Sequence, residues 1–140
     1  MTMRTMLIAS TLLLAAMPAF AQEEDVDCAN ATTQADMNIC ANEDYGAADT
    51  ELNVVYKQTV TAMRAKDEEL ADMSADYVGA EEALKKAQRA WIGYRDGQCE
   101  LAGFAARGGS LEPMLVSVCL AELTRARTEE LKVLLEPSEN

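Results

Sequence analysis

Cys99 and Cys119 stand on either side of Gly108-Gly109, the clearest break in a chain whose apolar residues otherwise recur every three or four positions. Paired glycines end helices and tolerate positive φ. Two helices turned back on each other at this point bring the two cysteines within bridging reach. The flanking stripes have the period of a helix face. One runs Leu84, Ala87, Gln88, Trp91, Tyr94, Arg95 and on to Leu101, and the other Val116, Leu120, Leu123, Leu131 and Leu134. Gly79-Ala80-Glu81-Glu82 opens the first of these helices with acids in its first turn. Ser110 is the expected cap of the second, with Pro113 tolerated just behind it.

Upstream, Thr32-Thr33-Gln34-Ala35-Asp36 combines a threonine cap with an acid in the first turn. It predicts a short helix ending near Cys40. Asn42 or Asp44 then caps a longer helix whose face is Tyr45, Ala48, Leu52, Val55, Tyr56, Thr59 and Met63. Asp67 to Asp76 is charged and weakly patterned, and reads as a connection. No stretch alternates apolar and polar residues long enough to predict a strand. The expectation is an all-α fold, a small antiparallel bundle of three main helices plus a short N-terminal one.

The N-terminus reads as an address. Arg4 precedes the apolar run Leu7 to Met17, Pro18 breaks it, and Ala19-Phe20-Ala21 offers small residues at −3 and −1. Such a run is shorter than the roughly 20 residues of a spanning helix, so a signal peptide over residues 1–21, cleaved after Ala21, is expected rather than an anchor. No cysteine follows that point directly, as lipid attachment would require. Residues 22–27 form an acidic tail, 28–136 the helical domain and 137–140 a C-terminal tail. Removing 21 of the 140 residues leaves 119, enough for one domain with a modest core. The expected location is the periplasm or the exterior of a bacterium, without membrane insertion after cleavage.

The full chain carries 12 basic and 24 acidic residues, a net charge of −12, and no histidine. That balance repels nucleic acid and favours cationic partners. All four cysteines, Cys28, Cys40, Cys99 and Cys119, follow the leader. An exported chain with an even cysteine count predicts disulfides; zinc would favour a close Cys pair or histidines, and neither is present. Four cysteines allow three connectivities. Local pairing is favoured: Cys99–Cys119 closes the Gly108-Gly109 hairpin, and Cys28–Cys40 folds the N-terminal segment back on the first helix. Each loop contributes on the order of 3 kcal/mol, chiefly by restricting the unfolded chain.

Three polar residues interrupt the apolar stripes: Gln88, Arg95 and Arg127. A buried arginine needs a carboxylate partner, for which Asp49, Glu51 and Asp96 are the candidates. The other reading is an exposed Trp91–Arg95 patch facing a partner, since Trp and Arg are common interface anchors. No catalytic constellation stands out. Histidine is absent, the acids are scattered over solvent-facing positions, and no nucleophile, metalloprotease or phosphate-loop motif occurs. No catalytic residue, cofactor or metal is expected.

The ordered set of motifs resembles a known family. Cys28, Thr33-Gln34-Ala35-Asp36-Met37-Asn38-Ile39-Cys40 and Leu52-Asn53-Val54-Val55-Tyr56 match its first half. Ala87-Gln88-Arg89-Ala90-Trp91-Ile92-Gly93-Tyr94-Arg95-Asp96, followed by Cys99, matches its central signature. Gly108-Gly109-Ser110, Cys119-Leu120-Ala121-Glu122-Leu123-Thr124 and Arg127-Thr128-Glu129-Glu130-Leu131 complete the pattern. The chain is similar to the lysozyme inhibitor LprI-like domain family of secreted bacterial proteins. The resemblance implies a helical, disulfide-containing exported domain, and it implies inhibition of a lysozyme as the activity. A lysozyme-type glycosidase cuts with paired carboxylates, so a basic or neutral side chain is expected to enter its cleft, with Arg95 or Arg107 as candidates. The alternative is an accessory interaction module of the envelope with no lysozyme target. The oligomeric state is not legible.

Overall fold

The computed structural model describes residues 26–136. The expected signal peptide, residues 22–25 of the acidic tail and the C-terminal residues 137–140 lie outside the described residues. Three helices build the domain: α1 Gln34–Ala71, α2 Ala80–Gly103 and α3 Glu112–Val133. Single turns of 3₁₀ helix lie at Cys28–Asn30, Ala75–Tyr77 and Phe104–Ala106. Among the described residues there is no strand. The all-α architecture with three main helices agrees with the sequence expectation.

α1 starts where its threonine cap predicts. The Thr33 hydroxyl accepts the Asp36 N–H at 3.1 Å, and Asp36 lies favourably against the helix dipole. The expected break near Asn42–Asp44 does not occur. α1 runs unbroken for 38 residues, about 57 Å at the rise of a helix, and the predicted short helix forms its first turns. Asn42, Glu43 and Asp44 face solvent, where polar side chains leave the backbone ladder intact, and Asp44 is tied across to Arg125 of α3.

The helix also continues beyond the point where fraying was expected, because Asp67 has a structural task. Its carboxylate accepts the backbone N–H groups of Gly79, Ala80 and Glu81 at 2.9, 2.8 and 3.0 Å. These are orphan donors at the start of α2, whose own N-cap, Gly79 at φ 147°, offers no side chain. Arg64 meets Glu81 across the same corner through two hydrogen bonds of 3.1 and 2.8 Å, and Lys85 adds a 2.8 Å contact to Glu81.

This corner makes the fold acid-sensitive in a predictable direction. The backbone N–H groups of Glu81, Gly79 and Ala80 hold the Asp67 carboxyl below its ordinary range. The Arg64 and Lys85 hydrogen bonds hold that of Glu81 down to about 2. Both folded-state values lie below those of the unfolded chain. Their stabilisation is therefore fully present above the usual carboxylate range and lost as pH falls through the depressed values. Asp67→Ala with Glu81→Gln is expected to lower Tm at pH 7, with the gap to wild type closing progressively from about pH 4.5 toward pH 2. Thermal melts across that range check it; a gap that widens on acidification would contradict the assignment.

α2 runs antiparallel to α1, and α3 returns antiparallel to α2, packing on α1 more extensively than α2 does. The apolar core is a cluster of Leu52, Val55, Leu84 and Leu131, with Tyr56, Val60, Met63 and Trp91 packed against it. Apart from Gln88 and Arg95, the other buried positions are small: Ala41, Ala48, Thr59, Cys99, Ala121, Thr124 and Thr128. Small side chains let the helices approach closely, and the threonines bury their hydroxyls without penalty by donating back along their own helices. Thr59 donates to the Val55 carbonyl and Thr128 to the Thr124 carbonyl, each at 2.9 Å.

The α1 face is as read from its periodicity: Ala48, Leu52, Val55 and Thr59 are buried. The other two stripes are rotated from expectation. On α2 the buried line is Leu84, Gln88, Arg95, Cys99 and Gly103, while Ala87, Tyr94 and Leu101 are exposed. On α3 it is Ala121, Thr124, Thr128 and Leu131, with Val116, Leu120 and Leu123 half-buried and Leu134 exposed. Gly103 is required by proximity, since a Cβ there would sit 2.7 Å from Cγ2 of Val116.

Candidate functional site

The four polar or aromatic residues singled out from the sequence, Gln88, Trp91, Arg95 and Arg127, lie together along the seam of α2 with its neighbours. Arg95 is 7% exposed. Its Nε donates to Asp96 at 2.9 Å, and its Nη1 to Asp49 of α1 at 3.2 Å and to the Thr124 hydroxyl of α3 at 3.3 Å. One guanidinium thus joins all three helices. It also lies over the rings of Trp91 and Tyr45, at 5.1 and 5.4 Å from their centroids. Burial pushes the Tyr45 phenol above its ordinary value, against the pull of the Arg95 charge.

Arg127 reaches the Trp91 ring as well, at 6.0 Å from its centroid. Its Nε donates to the buried Gln88 amide oxygen at 3.1 Å, and its Nη1 to Glu130 at 2.7 Å. Among the described residues no buried side-chain nitrogen or oxygen lacks a hydrogen-bond partner. Of the carboxylates proposed for the buried arginine, Asp49 and Asp96 are its partners, whereas Glu51 pairs with Lys132 at 2.8 Å. The arginine cluster is therefore turned inward, with Trp91 half-buried beside it. Arg95 cannot reach into a partner's cleft.

Both disulfides have the local connectivity. Cys28–Cys40, with Cα atoms 5.5 Å apart, fastens the 3₁₀ turn at Cys28–Asn30 to α1. Cys99–Cys119, at 5.4 Å, joins α2 to α3 below the hairpin turn. Cys28 and Cys40 lie near Glu43, with potential ligand atoms within 4.8 Å of one another, but both sulfurs are bonded to each other and supply no thiolate to a metal. Asp27 ends the expected acidic tail in an ordered arrangement, its carboxylate accepting the Ala29 N–H at 3.1 Å and the Asn30 amide at 2.6 Å.

The hairpin turn is built differently from its sequence expectation. Ser110 does not cap α3. Its carbonyl instead accepts the Asn38 side-chain amide of α1 at 3.0 Å. Glu112, the first residue of α3, reaches back to do the work. One carboxylate oxygen accepts the Gly108 N–H at 2.7 Å and the other accepts Arg107 Nη1 at 2.8 Å. Gly108 takes φ 77°, a conformation other residues rarely adopt. The Arg107 guanidinium lies over the Phe104 ring at 4.4 Å.

Beside this turn, an open groove of about 570 Å³ runs between the start of α3 and α1. Its apolar wall is Pro113, Val116 and Leu120, and Asn42 and Tyr45 face them. Neither the groove nor the exposed Phe104 and Leu111 was evident from periodicity: Tyr45, Val116 and Leu120 read as core-facing stripe residues, and Phe104 and Leu111 lie in the connection between α2 and α3. One signal was available. From Leu101 to Val118 the chain has a single cation, Arg107, and a single anion, Glu112.

Among the described residues no helix is long and apolar enough to cross a membrane. A protein of Rhizobium meliloti (strain 1021), described as uncharacterized, is 66% identical over 131 residues, covering 94% of each chain. No solved structure matches the chain. The family model for lysozyme inhibitor LprI matches residues 11–131, taking in both disulfides, the Arg95 cluster and the hairpin turn. The chain belongs to the lysozyme inhibitor LprI family.

Proposed function

We propose that this protein is exported to the periplasm or beyond, has no catalytic activity of its own, and inhibits a lysozyme-type cell-wall glycosidase by occupying its cleft. The observation that carries this reading is the family match across residues 11–131. The chemistry of the chain is compatible with it. Its net charge of −12 would steer it toward a cationic enzyme and speed their encounter, an effect that weakens with added salt. The cysteines are oxidised in pairs and offer no thiolate nucleophile.

The direct test is to titrate oxidised protein into a lytic assay at physiological salt, using c-type, g-type and i-type lysozymes. The expected result is loss of lytic rate with at least one type at micromolar inhibitor or below, with slower association as salt is raised. An unchanged rate with every type at micromolar excess would refute the reading.

A further inference from the structure

The hairpin end of the bundle combines a low density of charge with exposed apolar side chains on a turn that is cross-linked and hydrogen-bonded into one shape. In a chain with 24 acidic residues, the stretch Leu101 to Val118 has one, Glu112, and that one is paired to Arg107. Apolar side chains face water here: Leu101 is 63%, Phe104 54% and Leu111 40% exposed. Interface cores have this composition, poor in charge and enriched in aromatic residues and arginine.

The turn is also held in one shape. Cys99–Cys119 closes it from below, Glu112 fixes Gly108 and Arg107 together, and Asn38 ties Ser110 to α1. An element ordered before binding loses little entropy on docking.

Arg107 supplies the specificity. Among the described residues its guanidinium makes one hydrogen-bonded contact, Nη1 to Glu112. Among the described residues no carboxylate or carbonyl pairs with the edge formed by Nε–H and Nη2–H. Within this same molecule that edge of Arg64 holds Glu81 bidentately, which is the favoured geometry for a carboxylate. The Phe104 ring beneath Arg107 keeps the guanidinium plane in place.

Resting on the inhibitor reading above, we propose that this end of the bundle is the surface that enters the glycosidase. In this arrangement that edge of Arg107 takes a cleft carboxylate, and Phe104 and Leu111 pack against apolar cleft walls. The acidic remainder of the surface would then face the cationic surroundings of the cleft. One charge-poor end carrying a cation suits an acidic cleft, whereas the acidic body does not.

The test compares oxidised wild type with Arg107→Ala, Phe104→Ser and, as a control at the opposite end of the bundle, Met73→Ser, measuring inhibition constants against the lysozyme types named above. Arg107→Ala and Phe104→Ser are each expected to weaken inhibition about 30-fold or more, with Met73→Ser unchanged. Hydroxyl-radical footprinting of the wild-type complex reads the same surface without substitution, and protection at Phe104 and Leu111 is expected. If wild type inhibits while the hairpin variants inhibit equally well, or protection falls on Met73 instead, the surface assignment is wrong and the inhibitor reading survives. If wild type inhibits no lysozyme, both fall together.

Discussion

Arg95→Ala is expected to destabilise the oxidised protein by about 3 kcal/mol, measured as a lower urea midpoint at unchanged slope. We propose that Arg95 holds the three helices in register. Its side chain bonds Asp49 on α1 and Thr124 on α3 from its position on α2, and lies over Tyr45 and Trp91. Truncation removes all of these contacts together and leaves a void beside Trp91. The figure falls at the low end of the loss for a broken buried ion pair because Asp49 and Asp96 keep partial contact with water, so neither is stranded without solvation. Arg95→Met separates packing from charge. Methionine refills much of the volume and should recover about half of the loss. A methionine variant as unstable as the alanine variant would assign the whole effect to the ionic contacts, and two variants as stable as wild type would remove Arg95 from its proposed role.

The second large effect concerns the staples. Removing Cys99–Cys119 by paired alanine substitutions is expected to cost about 3 kcal/mol from the released loop alone, plus the packing lost at the fully buried Cys99. Removing Cys28–Cys40 releases a shorter loop, sequence separation 12 against 20, and Cys28 is exposed. Its loss should be nearer the loop contribution alone, slightly under 3 kcal/mol on the order of these estimates. Urea unfolding of both double variants beside wild type gives the comparison. The hairpin variant should be the less stable; equal stabilities would mean that neither the longer loop nor the burial of Cys99 contributes.

Where the sequence reading succeeded and where it failed follows from what each helix buries. α1 buries Leu52 and Val55 on its stripe, residues large enough for a periodicity argument to weigh, and its face was legible. α3 buries Ala121, Thr124 and Thr128, which such an argument discounts, so the larger Leu120, Leu123 and Leu134 set a stripe rotated from the true one. Gln88 and Arg95 were legible as polar interruptions because burial makes them conspicuous. Arg127 was legible for the same reason, being mostly covered by its contacts with Gln88 and Trp91.

The errors in helix boundaries have one cause. Asp44, Asp67 and Ser110 are residue types that cap helices locally, but in this fold they or their backbone groups are engaged by distant partners. Asp44 meets Arg125, Asp67 caps a helix other than its own, and the Ser110 carbonyl serves Asn38. Such pairings over long sequence separations leave no periodic trace. The disulfide pairing was legible because it depended only on the position of one turn, which the glycines mark. The hairpin surface was not, since exposed apolar residues are ordinary one at a time, and the charge-poor run Leu101 to Val118 becomes a surface only when the fold turns it round one end of the bundle.

α1 outlasts α3: Thr59 lies level with Leu131, two residues before α3 ends, and twelve residues of α1 follow Thr59. Over that overhang the long helix has only the start of α2 and the connecting turn to lean on, whereas the hairpin end is cross-linked and backed by all three helices. Local opening should therefore be frequent in the overhang and rare at the hairpin, giving amide exchange that slows steadily along the long axis. The molecule works as a handle with a rigid head, its fluctuations confined to the end farthest from the surface that would have to hold its shape on contact.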